Sequence, residues 1–151
     1  MLTNSFDILI SSFYSLTMGL AKKNAYHLNQ RKVGTLVIFA GISFIIYAVL
    51  EIVMQLKVNY SKYVALSIAT ITFYDLTIAI YKIIKYRKSN KDKLIVLVNL
   101  ASSLISLELT QKSILSFTKT GIDSFMYNGF IGIIVGISSV IIGIIILKKV
   151  L

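Results

Sequence analysis

The sequence predicts an all-α membrane protein: an N-terminal amphipathic interfacial helix followed by a bundle of four transmembrane helices. Three observations predict it. First, 56% of the 151 residues are hydrophobic and the mean hydropathy is +0.81, too apolar for a water-soluble domain of this length. Second, four apolar runs, at about 33–53, 63–84, 94–115 and 125–147, alternate with short polar or basic segments. A helix crosses the hydrocarbon core in about 20 residues, so each run is read as a span. Third, small residues recur at helical spacing along two of the runs, the pattern by which helices approach one another in lipid. The length fits one domain, 1–151.

Residues 1–32 form the interfacial helix and its linker. Phe6, Leu9, Phe13, Leu16 and Leu20 step by 3, 4, 3 and 4 along one face, with Ser5, Ser11, Ser12, Ser15 and Lys22 on others. Asn4 suits an N-cap, and Asp7 lies in the first turn near the positive end of the helix dipole. A signal peptide is excluded by charge order, since Lys22 and Lys23 follow the apolar part instead of preceding it. A short additional span is the other reading of Phe6–Ala21, a serine-diluted run of 16 residues.

Arg31 and Lys32 precede the first span, in which Gly34, Gly41 and Ala48 recur every seven residues. A short loop bracketed by Lys57 and Lys62 makes the second span run antiparallel beside it. The second span carries Asp75 near its middle and Lys82 near its end, with Tyr60, Ser67, Tyr74 and Tyr81 on another face. The most basic loop follows, Lys85 to Lys93. In the third span only 14 residues, Leu94 to Leu107, pass before Glu108, and Asn99, Ser102, Ser106, Thr110 and Ser113 form a polar stripe suited to bonding across a helix interface. Gly121 is the expected turn before the fourth span. There Gly129, Gly132, Gly136, Ser139 and Gly143 step by 3, 4, 3 and 4, a packing face in lipid where the same glycines would weaken a helix in water.

Lysine and arginine set the orientation. With the N-terminus inside, twelve of the sixteen basic residues fall on the cytoplasmic side and four outside. The expectation is a multi-pass plasma-membrane protein with both termini cytoplasmic.

The stretches FYSLTMGLAKK, TFYDLTIAIYKIIKYRKS, NLASSLISLELTQKSIL and MYNGFIGIIVGISSVIIGIIIL together resemble a family of small four-span integral membrane proteins of Gram-positive bacteria. The resemblance covers most of the chain. It implies an N-terminal helix plus four spans and carries no catalytic residue with it. An acid at the position of Asp75 is not part of that pattern.

Composition removes several chemistries. Without cysteine there is no thiol catalysis, disulfide or thiolate metal site, and one histidine, His27, cannot make a multi-histidine zinc site. No phosphate loop, nucleophile elbow or HExxH helix is present, and the serines of the third span have no histidine beside them. No cofactor and no enzymatic activity are expected. The net charge of +10 sits between apolar runs, which points to anionic lipid headgroups at the basic loop and not to nucleic acid.

An acid at membrane depth is costly and marks function or a buried hydrogen bond. Glu108 and Lys112, four apart, form a helical pair near the outer end, and Glu51 lies close to the outer surface; for these, snorkelling to water is the expectation. Asp75 is deeper, about 18 Å along the helix from Tyr63. Thr72 and Lys82 share its face, so Asp75, Thr72 and Lys82 form the candidate ion or proton site, with bonding of Asp75 to the serine stripe as the structural alternative. The leading functional expectation is a non-enzymatic interaction or accessory subunit partnered by another membrane protein or a second copy. The alternative is a small transporter or channel-like protein using Asp75, and the feature that separates them is whether Asp75 lines a polar, water-reachable cavity.

Overall fold

The computed structural model describes residues 2–56, 60–89, 92–118 and 124–149, and every element in them is helical. The side chains of Asn4, Phe6 and Asp7, and the loop residues Lys57, Lys91 and Gly121, lie outside what is described. The helices are α1 (Leu2–Tyr26), α2 (Gln30–Val53), α3 (Lys62–Tyr86), α4 (Lys93–Thr118) and α5 (Ser124–Lys149). Four of them, α2 to α5, are long and apolar enough to cross a membrane. Asn29 and Ser61 cap α2 and α3, their side-chain oxygens accepting from the N–H groups of Lys32 and Val64.

Two turns share one geometry. Asn29 N–H bonds to the Asn24 carbonyl and Leu28 N–H to that of Ala25, while Leu56 N–H bonds to Glu51 and Gln55 N–H to Ile52. Both are Schellman closures, which place one residue in the left-handed region. That residue is usually glycine; here it is Leu28, at φ 54°, and Gln55, at φ 50°.

Contacts between helices define the layout. α1 packs on α2 and α4, α2 on α5, and α5 on α4, so these four close a ring; α3 packs on α4. The core runs through the ring, from Tyr14, Met18 and Ala21 of α1 through Phe44 of α2 and Val98 and Ile105 of α4 to Ile146 of α5.

The α2–α5 contact is made by the two small-residue faces. A Cβ placed on Gly41 would stand 2.8 Å from the Gly136 carbonyl oxygen, and one on Gly136 would stand 2.9 Å from that of Gly41. Gly34 and Gly143 repeat the relationship, and Gly132 faces Ala48. Such separations leave no room for a side chain, so backbone meets backbone and dispersion holds the helices together. Ser139, on the same face, is fully buried.

The fold differs from the sequence expectation at α1. Instead of standing apart from the bundle, α1 runs antiparallel along α2, with Phe13 against Phe39 and Tyr14 against Phe44, ring centroids 5.7 and 6.3 Å apart. Its apolar stripe points outward: Leu9 is 65% and Leu16 64% exposed. The buried face is Tyr14, Thr17, Met18, Ala21 and Ala25, small or hydroxyl-bearing for the most part. A periodicity count finds the apolar face but cannot say whether lipid or protein covers it. In a membrane the small face packs and the large apolar face meets lipid.

Candidate functional site

Asp75 projects from the middle of α3 toward α4 and α1. Its buried neighbours on α3 are Ala65, Thr72 and Ala79, a heptad of small side chains that seats the helix on α4. On α4 the polar stripe is buried along its length: Asn99, Ser102, Ser106, Thr110 and Ser113 are each under one-tenth exposed. Ser102 and Ser106 both donate to Asp75 Oδ2, at 3.0 and 2.7 Å. Thr110 donates to Thr72 Oγ1 at 2.8 Å, one turn further along.

The other carboxylate oxygen meets a cation from α1. Lys22 Nζ lies 2.6 Å from Asp75 Oδ1. The Lys22 side chain is 16% exposed and that of Asp75 35%. The Tyr14 hydroxyl donates to the Ser102 carbonyl, 3.2 Å away, closing a network over three helices.

These groups line a groove between α1 and α3 floored by α4. Around the ion pair it forms a cavity of about 280 Å³, with Tyr14, Ser15, Lys22, Thr72, Asp75 and Ser106 among its walls. A second cavity of about 420 Å³ shares Ser15, Ile71 and Thr72 with the first and extends along α1 past Ser12 and Ser11 to Ile8. Of the serines read from sequence as the polar side of an interfacial helix, Ser11, Ser12 and Ser15 thus form one wall of the groove, and the side chain of Ser5 lies outside what is described.

Thr72 stands beside Asp75 as the sequence suggests. Lys82 does not: its Nζ lies over the Tyr26 ring, 5.3 Å from the centroid, near the end of α1. Lys22 takes the place foreseen for it. That partner was not legible, because it comes from a helix 53 residues away.

The other ionisable groups also depart from expectation. Glu51, Glu108 and Lys112 do not reach water but are 1%, 4% and 2% exposed. Lys112 pairs across helices with Glu51 at 3.0 Å, and its Nζ sits 4.2 Å from the centroid of the Tyr47 ring. The C-terminal ends of α2 and α4 pack with the N-terminal end of α5, where Gly129 and Gly132 meet Ile52 and Ala48, so side chains there are enclosed by protein where a single helix would let them snorkel. His27, in the α1–α2 turn, borders a separate open cavity with Asn29, Gln30 and Arg31. Of the tyrosine stripe, Tyr60 is buried while Tyr74 and Tyr81 are exposed.

Comparison with known protein families, curated proteins and solved structures finds no match to this chain.

Proposed function

We propose that this chain is a non-enzymatic integral membrane protein that works as a small transporter, with the α1–α3 groove as the place where a polar solute is held. One observation carries the reading: a carboxylate at the middle of a membrane-length helix lines an open cavity walled by hydroxyls and a lysine. Hydrocarbon cannot solvate such a group, so an ionic pair left partly open at that depth marks a site used by water or solute. Its test is flux in reconstituted vesicles. Asp75→Asn keeps the shape but removes the charge, and Asp75-dependent flux with unchanged melting supports transport. Wild-type flux no greater than that of empty vesicles overturns it.

An interaction or accessory role is the second reading, favoured by how thinly α3 is anchored. It buries only Ala65, Thr72 and Ala79, which leaves most of its length open to another helix or a second copy. Cross-linking through a cysteine at Tyr74, 67% exposed, tests this in native membranes.

In this proposal α1 crosses the membrane beside α2. At 25 residues it is about 37 Å long, enough for the core. The N-terminus then lies outside and the C-terminus in the cytoplasm of a plasma-membrane protein, replacing the expectation of two cytoplasmic termini. Residues 1–21 hold no lysine or arginine, so adding α1 as a span carries no basic residue to the outer side. The basic segment 85–93 then faces the cytoplasmic leaflet and its anionic headgroups.

A further inference from the structure

We infer that the cavity at Lys22 and Asp75 is a binding site for a small zwitterion, a solute carrying one ammonium and one carboxylate, such as an α-amino acid. The inference rests on the transport reading and names its substrate class.

Charge balance selects that class. Within the cavity one ammonium faces one carboxylate at 2.6 Å, so the site as a whole is neutral. A solute with a single charge pairs with one of the two and leaves the other uncompensated where it is poorly solvated, which is costly. A neutral solute must compete with the internal ion pair while offering weaker bonds. A zwitterion exchanges one internal pair for two intermolecular ones and leaves no charge over: its carboxylate meets Lys22 and its ammonium meets Asp75.

The surrounding groups fit this exchange. Ser102 and Ser106 already donate to Asp75 Oδ2 and keep the carboxylate oriented when Lys22 turns away. Lys22 sits on a helix whose next residues toward the groove are small, Gly19 and Ser15, so its long side chain has room to swing. Gly19 has nothing within 4 Å of the position a Cβ would take. The 280 Å³ cavity suits a solute of a few heavy atoms, and the apolar side chains of Met18 and Ile71 offer a place for a small hydrocarbon substituent. Among the described residues no other charged side chain borders this cavity, and Tyr14 and Tyr74 are the remaining titratable groups on its walls.

The experiment uses the full chain, purified and reconstituted, with glycine, alanine, leucine and γ-aminobutyrate as probes and acetate and ethylamine as singly charged controls. At least one zwitterion is expected to raise the melting temperature and to enter vesicles, and the two controls are not. The double variant K22M/D75L removes the pair without stranding either charge, and its melting temperature is measured beside binding to establish that the fold is kept. It is expected to weaken zwitterion binding by roughly tenfold to a hundredfold, the loss of charge-assisted bonds. Lys22→Met alone leaves a lone carboxylate and shifts preference from the zwitterion to ethylamine. Zwitterion binding undiminished in K22M/D75L overturns the site. Asp75-dependent flux of protons, sodium or ethylamine with no response to any zwitterion overturns the substrate class but leaves the transport reading standing. Absence of Asp75-dependent flux for every solute overturns both.

Discussion

Lys22 Nζ and Asp75 Oδ1 are 2.6 Å apart, on two helices that reach each other mainly across the groove between them. α1 and α3 are each seated on α4, and the ion pair ties their free flanks together. Lys82 over the Tyr26 ring makes a second tie nearer the end of α1. The two flanks are therefore joined by side chains at two levels, and lie open along the serine-lined stretch.

Topology provides the first prediction. A cysteine at Gln55 and an N-terminal epitope tag should both react from outside intact cells, and a cysteine at Lys88 only after permeabilisation. Reaction of the tag on the side of Lys88 would return α1 to the membrane surface. Because α1 closes the helical ring, deleting residues 1–21 should also lower the melting temperature of the purified protein; an unchanged melting curve would mean the ring stands without it.

The glycine face gives the second. Gly136→Leu places four extra carbons where a single Cβ would already lie 2.5 Å from Ile45. Destabilisation of about 3 kcal/mol or more is expected, the upper end for overpacking. Ile141→Leu, an equal-volume change at a position 52% exposed, should stay within about 0.5 kcal/mol of wild type. Equal melting temperatures for the two variants would show that α2 and α5 do not meet as described.

Third, the buried pair of Lys112 and Glu51 should behave unlike a surface salt bridge. Lys112→Met takes the ammonium away from a carboxylate that is 1% exposed, and a loss of about 3–5 kcal/mol is expected. Adding Glu51→Gln removes the stranded charge and should recover part of that loss. Raising salt should leave the wild-type melting temperature nearly unchanged, since an enclosed pair is poorly screened.

The two left-handed turns supply the fourth. Leu28→Gly and Gln55→Gly relieve a conformation that L-residues disfavour, and each should stabilise the fold by up to about 1 kcal/mol. Leu28→Val should do the opposite, since a branched Cβ tolerates positive φ least. Melting curves of the three variants check the order.

Features that depend on one helix alone were readable from the sequence, and those that need two helices mostly were not. The steps of Gly129 to Gly143 and the sevenfold recurrence of Gly34, Gly41 and Ala48 reveal two small faces, but that the two meet each other within one chain is seen only in the structure. The serine stripe of α4 likewise suggested a partner for Asp75. The position of α1 did not follow, because its large apolar face and its small face both repeat at helical spacing, and only tertiary packing decides which one turns inward. Without the packing of α1 on α2 and α4, Lys22 has no visible place beside Asp75. Glu51 and Lys112 were misjudged for a related reason: distance from the end of a span measures depth, while burial also depends on rotation about the helix axis.

The glycine seam between α2 and α5 also constrains how the chain is made. α2 is synthesised early and α5 late, with α3 and α4 between them. A chain halted before Ser124 therefore has Gly34 and Gly41 in the bilayer with no mate, although α3 and α4 can already pair. The seam cannot form until α5 has itself entered the bilayer. Until then the backbone that Gly34 and Gly41 leave bare on α2 lacks the close dispersion contacts that α5 supplies.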